Sequence, residues 1–495
     1  MTTPAKTSGL RQMVGHASIY AAGNIMRQLV GFLMLPIYTR YLTPADYGVI
    51  GLMTFAISLI EPLFGARLGM AIPKYYADAE AQCKKALVVS TALLTTGSVS
   101  VLTTLVLIYC RQPAAESLFG SAEYATIVGL FAVLITTQAL EYDTLIFIRL
   151  QQRPWLFVGV NLVKLIVQLS LNIWLVVFKQ LGVYGIAISA MSSSVFFAVI
   201  LICYTFYHVG FHFDKIVAQK MIIFCWPLWL AGLVGLYIGS SNRYFLKIFS
   251  SLGDIGLFEL AVKFSAIISM LIWEPFQQYW QIERFRNHKE ENAKEIFQNV
   301  FYAVSNILAI VSLGVIIFSG PVIDIMASAD FYKASYAVPF LTAGTFFSCL
   351  STYFNFSFFV TENTKWMSRI NYLVAIVITF FYFIFIPLWG FVGAALAVAI
   401  AQAVQFVVVY RLSSRFYDME ISLKSLGHIL LIAGVACGCT SALLLAEFDF
   451  WGDVFTRTVV YALAVIFIIY PIWLNPSTRA VIHDIALILR RKRSY

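Results

Sequence analysis

The sequence predicts an all-α polytopic membrane protein of fourteen transmembrane helices. Three observations carry that reading. Of 495 residues, 60% are hydrophobic and only 12% are charged, against about a quarter charged in a soluble domain. The apolar residues fall in runs of about 20, the length that crosses a bilayer as a helix. The runs are uninterrupted rather than alternating, which excludes a transmembrane β-barrel.

The predicted spans are 12–35, 48–70, 86–110, 124–148, 155–178, 183–206, 219–240, 255–280, 296–320, 334–360, 367–388, 390–411, 425–446 and 455–474. Trp389-Gly390 separates spans eleven and twelve. Positions 1–10 are polar and the first apolar run is of full span length, so no cleavable signal peptide is expected. The loops are short, which leaves no room for a soluble domain.

The basic residues orient the chain. With the N-terminus placed in the cytoplasm, 23 of the 34 Lys and Arg fall in cytoplasmic segments, among them Lys84, Arg153, Arg286 and the tail around Arg490, and 7 fall outside, among them Arg111 and Lys333. Four stay well within spans, residues at the span ends being counted with the adjoining loop: Arg27, Arg67, Lys164 and Lys263. Positive loops face the cytoplasm, so both termini are expected there. The net charge of +9 is then read as cytoplasmic loops facing anionic lipid, with no nucleic-acid partner.

The chain also repeats itself. DYGVIGL from Asp46 recurs as DIGLFEL from Asp254, and GVYGIAIS from Gly182 as GFVGAALA from Gly390, both at an offset of 208. QQRPWLF before span five faces ENTKWMS before span eleven at 211. The repeat relates spans 1–6 to spans 7–12, which gives domains of 1–214 and 215–418, with 419–495 an appendage of two spans and a basic tail. An even number of spans per half gives the halves one orientation. Transporters built this way enclose a central cavity.

Ionisable groups inside spans face a cavity or a partner. Helical spacing puts Asn24 beside Arg27 on a stripe with Tyr20 and Gly31. In span five, Asn161, Lys164, Gln168 and Asn172 form one polar stripe. In span eight, Glu259, Lys263 and Glu274 share a face, with Glu259 and Lys263 spaced to pair. Asn242 and Arg243 stand at the outer end of span seven. Arg27 and Lys164 have no acid one turn away on their own helix. With Lys263 they are expected to line a cationic cavity holding an anionic cargo. Arg67 and Arg243 join them, or reach headgroups near the two surfaces. Glu259, Glu274 and Asp143 are the candidate ion-coupling groups. Glu274 precedes Pro275, where a bend is expected. No cofactor is expected beyond coupling to protons or sodium.

The rival readings have weaker signals. A cation exporter needs acids dominating the first half; Glu61, Glu141 and Asp143 are there, but the stripes are basic. An enzyme needs catalytic groups in large outer loops, and none is found. His208 and His212 lack a third ligand, so they read as surface residues. No GxxxxGK[ST] loop occurs. The seven cysteines read as buried packing residues.

Three stretches resemble polysaccharide-biosynthesis flippases, the Wzx-type members of the multidrug/oligosaccharidyl-lipid/polysaccharide superfamily. They are LVGFLMLPIYTRYLTPADYGVIGL, RLQQRPWLFVGVNLVKLIVQLSLNIWLVV and SNRYFLKIFSSLGDIGLFELAVKFSAII. The resemblance covers most of spans 1–12. Asn242-Arg243 stands where such families show Asp-Arg. The resemblance implies a V-shaped fold of two six-helix lobes in the bacterial inner membrane. It implies a cargo of oligosaccharide on undecaprenyl pyrophosphate, moved from the cytoplasmic to the periplasmic leaflet. It also implies a glycan polymerase and a chain-length regulator as partners. The related lipid II flippase, which also favours fourteen spans, is the nearest alternative.

Overall fold

The computed structural model describes residues 31–32, 34–64, 67–79, 81–443 and 449–474. Its regular elements there are helices without exception. Nine of them are long and apolar enough to cross a membrane, or up to eleven if each of two bent pairs is one span. The predicted spans distribute over them unevenly. Span one lies almost wholly outside the described residues. Span two belongs to a pair, Leu35–Tyr41 with Pro44–Pro62, bent by 120°. Span thirteen appears as Lys424–Leu443, and span fourteen as Phe450–Leu474. Spans eleven and twelve run together as Lys365–Phe416, where Gly390 alone breaks the helical geometry at φ 54° and ψ −130°.

Local chemistry explains where these helices begin. Thr43 and Asp46 exchange hydrogen bonds: the Thr43 backbone N–H donates to Asp46 Oδ2 at 3.0 Å, and the Asp46 N–H donates to Thr43 Oγ1 at 3.2 Å. This is a capping box, with Pro44 at the first helical position. Span eight starts alike: the Asp254 N–H donates to Ser251 Oγ at 3.1 Å, and the Ser250 hydroxyl donates to Asp254 Oδ2.

The repeat is therefore visible as conformation. Gly182 and Gly390 both have φ 54°, a left-handed geometry that costs glycine least. Gly185 and Gly393 each lie against the backbone of the preceding span, at Leu175 and Phe385. Before span five, Gln152 has φ 55°, and before span eleven Glu362 has φ 57°. The Gln152 N–H donates to the Arg149 carbonyl at 2.9 Å and the Glu362 N–H to the Phe359 carbonyl at 3.2 Å. These pairs match at an offset of 210, not the 211 read from the letters, because conformation registers the turn and residue identity does not.

By contacts the chain divides into Met1–Gly256 and Leu257–Tyr495. Span seven belongs to the second half by the repeat and packs in the first unit. Its Met221, Cys225 and Trp229 share a core with Leu68, Ile72, Val89 and Phe147. Backbone groups entering it are tied to span three: the His212 N–H donates to Ser90 Oγ at 2.8 Å and the Asp214 N–H to Thr91 Oγ1 at 3.1 Å.

Span eight runs unbroken from Leu252 to Asn287. The helix continues through Pro275, and Ser269–Trp273 winds as a π turn just before it, which makes room where the proline ring and its missing N–H disturb the ladder. The appended spans dock on span nine. Ala436, Ala464 and Ile468 pack against Leu313 and Ile317. Arg457 pairs with Asp453 at 2.8 Å and donates to the Ile317 carbonyl at 2.9 Å.

Among the cysteines, Cys225 and Cys349 are buried as expected, but Cys83, Cys203 and Cys439 are exposed. His208 is an exposed helix-end residue whose Nδ1 meets the Tyr204 carbonyl at 2.8 Å.

Candidate functional site

The buried charges of the first unit gather on spans two, four and five. Lys164, on helix Pro154–Ile173, forms an ion pair with Glu141 on helix Ala125–Leu150. Ser194 from span six donates to the other carboxylate oxygen of Glu141 at 3.0 Å. Glu141 is 9% exposed at its side chain and Lys164 22%. Removing either partner strands a charge in a low-dielectric interior, at a cost of about 3–5 kcal/mol.

Arg67 does not reach out to headgroups. It pairs with Glu61 through Nε at 2.5 Å and lies over the ring of Tyr142, 4.2 Å from its centroid. Trp229 fixes the backbone there by donating Nε1–H to the Arg67 carbonyl at 3.2 Å. One residue along span four, Asp143 is fully buried. Thr96 donates to its Oδ2 at 2.6 Å, and the Gly69 backbone N–H faces the carboxylate as well. Gly69 closes this corner. A Cβ there would fall 2.5 Å from the Tyr142 ring and 2.9 Å from Asp143 Oδ1, so only glycine fits.

The charge balance differs from the sequence expectation. The interior of this unit, among the described residues, places the carboxyls of Glu61, Glu141 and Asp143 with the cations of Arg67 and Lys164. Lys164 has no acid on its own helix but has one across from it. Two acids and two bases thus neutralise one another, and a free cationic surface does not follow from Lys164 or Arg67.

The other predicted residues sort as follows. Arg27 and Asn24 lie outside the described residues. Asn161 turns its amide back to the Phe157 carbonyl at 2.7 Å. Gln168 is half-buried. Asn172 leaves the stripe for packing: it donates to the Tyr38 hydroxyl at 2.8 Å and accepts from Ser189. Arg243 is half-buried beside buried Asn242 and donates to Asn242 Oδ1 and to the Gly239 carbonyl, both at 3.3 Å. On span eight, Glu259 acts electrostatically on Lys263, as their spacing predicts. Glu274, eleven residues on, opens the helix after the π turn and makes no ion pair among the described residues. Sequence reasoning missed the partners Glu61, Glu141, Ser194 and Tyr142 as site members. The signal for them was present: a carboxyl inside an apolar span needs a base, and Glu141 and Asp143 sit inside span four.

No group of three or more metal-ligating side chains occurs among the described residues.

The fold defines a class. The chain is similar to a solved structure of "Lipid II flippase MurJ, inward closed conformation", with a TM-score of 0.74 and 13% identity, covering 92% of this chain and 99% of that one. It is also similar to an inward-facing multidrug resistance MATE family transporter of the MOP superfamily, at TM-score 0.61, 14% identity and coverages of 79% and 95%. A MATE protein in its straight conformation matches at TM-score 0.53 and 15% identity, with coverages of 83% and 96%. These likenesses establish the all-helical membrane fold shared by such proteins. A comparison with curated protein sequences finds no match. The model of the polysaccharide biosynthesis protein family matches residues 14–279, more than half of the chain, and the protein belongs to that family.

Proposed function

We propose that the protein is a flippase, not an enzyme, that moves an oligosaccharide linked to undecaprenyl pyrophosphate from the cytoplasmic to the periplasmic leaflet of the bacterial inner membrane. The observation that carries this reading is the family match over residues 14–279. The fold supports it, because a two-fold repeated helical transporter can expose one central site to either side in turn. A pyrophosphate carries negative charge, and arginine and lysine are its usual holders. Arg27, Lys263 and Arg243 are the residues we assign to it. The Lys164–Glu141 pair and the Asn161–Gln168 stripe shape the path beside it. Glu274, Asp143 and Glu259 are the candidates for coupling to protons or sodium. A glycan polymerase and a chain-length regulator are the partners expected downstream. Both termini are placed in the cytoplasm on the charge bias of the loops.

Deleting the gene tests the reading. Lipid-linked oligosaccharide should accumulate, and surface glycan should fall, with both restored by the wild-type gene. Unaltered lipid-linked pools in the deletion strain would reject it.

Lipid II is the second reading. It is favoured by the MurJ likeness, which extends over 92% of this chain. Accumulation of lipid II instead of another lipid-linked glycan in the deletion strain would select it.

A further inference from the structure

The second unit contains a recess of about 310 Å³ that the charged residues above do not touch. Ser269 and Trp273 come to it from the π turn of span eight, Thr345, Ser348 and Thr352 from span ten, and Gln402 from span twelve. Spacings of three, four and seven residues put the three span-ten groups on one helix face. Gly344 on that helix lets the wall close: a Cβ there would meet Ala399 Cα at 3.3 Å.

The lining is rich in acceptors and carries no formal charge. Thr345 spends its hydroxyl proton on the Leu341 carbonyl at 2.9 Å, and Thr352 on the Ser348 carbonyl at 3.0 Å. Their lone pairs remain for a ligand. Gln402 Oε1 is shut from solvent and has no hydrogen-bond partner, the desolvated state that a native structure rarely tolerates without a partner. Ser269, Thr345, Ser348, Thr352 and Gln402 are each half-buried, so the recess is reachable. Trp273 is 5% exposed and supplies an apolar aromatic wall.

A few oriented polar groups around an aromatic wall fit a ligand with hydroxyl donors on its rim and a C–H face. The volume is at the lower end of small-molecule sites, which run from about 300 to 1,000 Å³. That admits a single ring rather than a chain of them. We propose that this recess is the subsite for one neutral sugar ring of the cargo, read by Gln402, Thr345 and Ser348 and stacked on Trp273. The inference rests on the flippase reading above. A bound alkali cation is the competing occupant, since Glu274 lies within electrostatic reach of Cys349 in the same wall.

The test uses the purified full-length protein and two probes: oligosaccharide released by mild acid from the lipid-linked pool of the deletion strain, and undecaprenyl pyrophosphate without sugar. Binding is measured calorimetrically for wild type, Gln402→Met, Thr345→Val and the conservative Thr345→Ser. Only variants with wild-type elution and thermal midpoint count, and Thr352→Val replaces any that fails. Loss of one hydrogen bond should weaken oligosaccharide binding by about fivefold in Gln402→Met and in Thr345→Val. Thr345→Ser should keep it, and undecaprenyl pyrophosphate binding should stay unchanged throughout. Oligosaccharide binding that is absent in wild type, or equal in all variants, overturns the subsite. Sodium binding lost in Gln402→Met while sugar binding persists makes the recess a cation site instead. Oligosaccharide binding that falls as expected, with no undecaprenyl pyrophosphate binding to wild type, upholds the subsite and rejects the lipid-linked cargo.

Discussion

Gly48 and Gly256 occupy equivalent, reciprocal positions. A side chain on Gly48 would collide with the Leu252 carbonyl, and one on Gly256 with the Pro44 carbonyl. The four residues form two pairs at the same 208-residue offset, at the starts of spans two and eight. Both contacts are to backbone, which cannot rotate away. Small residues are what let membrane helices approach this closely. Gly48→Ala and Gly256→Ala should therefore each lower the thermal midpoint of the purified protein and reduce surface glycan to similar extents. A neutral Gly256→Ala beside a damaging Gly48→Ala would break the equivalence.

The Lys164–Glu141 pair makes a second prediction. Lys164→Met alone leaves Glu141 buried without its counter-ion, and should cost about 3–5 kcal/mol. Lys164→Met with Glu141→Gln removes both charges and should recover most of that stability. Export separates two roles. If the pair only holds spans four and five together, the double variant exports near the wild-type rate. If Lys164 also touches cargo, it is stable and inactive. A double variant no more stable than Lys164→Met would show that the pair is not coupled as the structure places it.

Glu274 stands at the junction of the π turn and the helix opened by Pro275. As the candidate coupling group, its neutralisation in Glu274→Gln should lower transport in reconstituted protein and flatten the dependence on pH or sodium. Unchanged rate and unchanged ion dependence would remove it from coupling.

Topology is tested by cysteines introduced at positions 286 and 333 in a background without the seven native ones. An impermeant maleimide added to intact spheroplasts should label position 333 and spare position 286. Labelling at 286 would invert the orientation derived from the loops.

These residues show what the sequence carried. Span length and the 208-residue repeat are local or periodic properties, so the all-helical membrane fold and the matched turns at Gly182 and Gly390 were legible. The Glu259–Lys263 relation was legible because one helix contains it. Glu141 and Lys164 are on different helices, as are Asp143 and Thr96, and helical periodicity cannot say which faces meet. For the same reason Lys164 read as a free cation. The recess around Gln402 drew no attention because its hydroxyls are ordinary in a membrane helix until three spans bring them together. The continuity of span eight through Pro275 depends on a π turn that no residue pattern announced.

The central claim is transport of a lipid-linked glycan, and its direct measurement is transfer across a bilayer. Lipid-linked oligosaccharide from the deletion strain is reconstituted with the purified protein in sealed vesicles and scored by cleavage with an external glycosidase. The vesicles begin with the outer-leaflet pool already digested. The account predicts that further substrate becomes cleavable with time in wild-type vesicles, and much more slowly with Arg27→Ala. Wild-type vesicles that expose no more substrate than protein-free ones would contradict it.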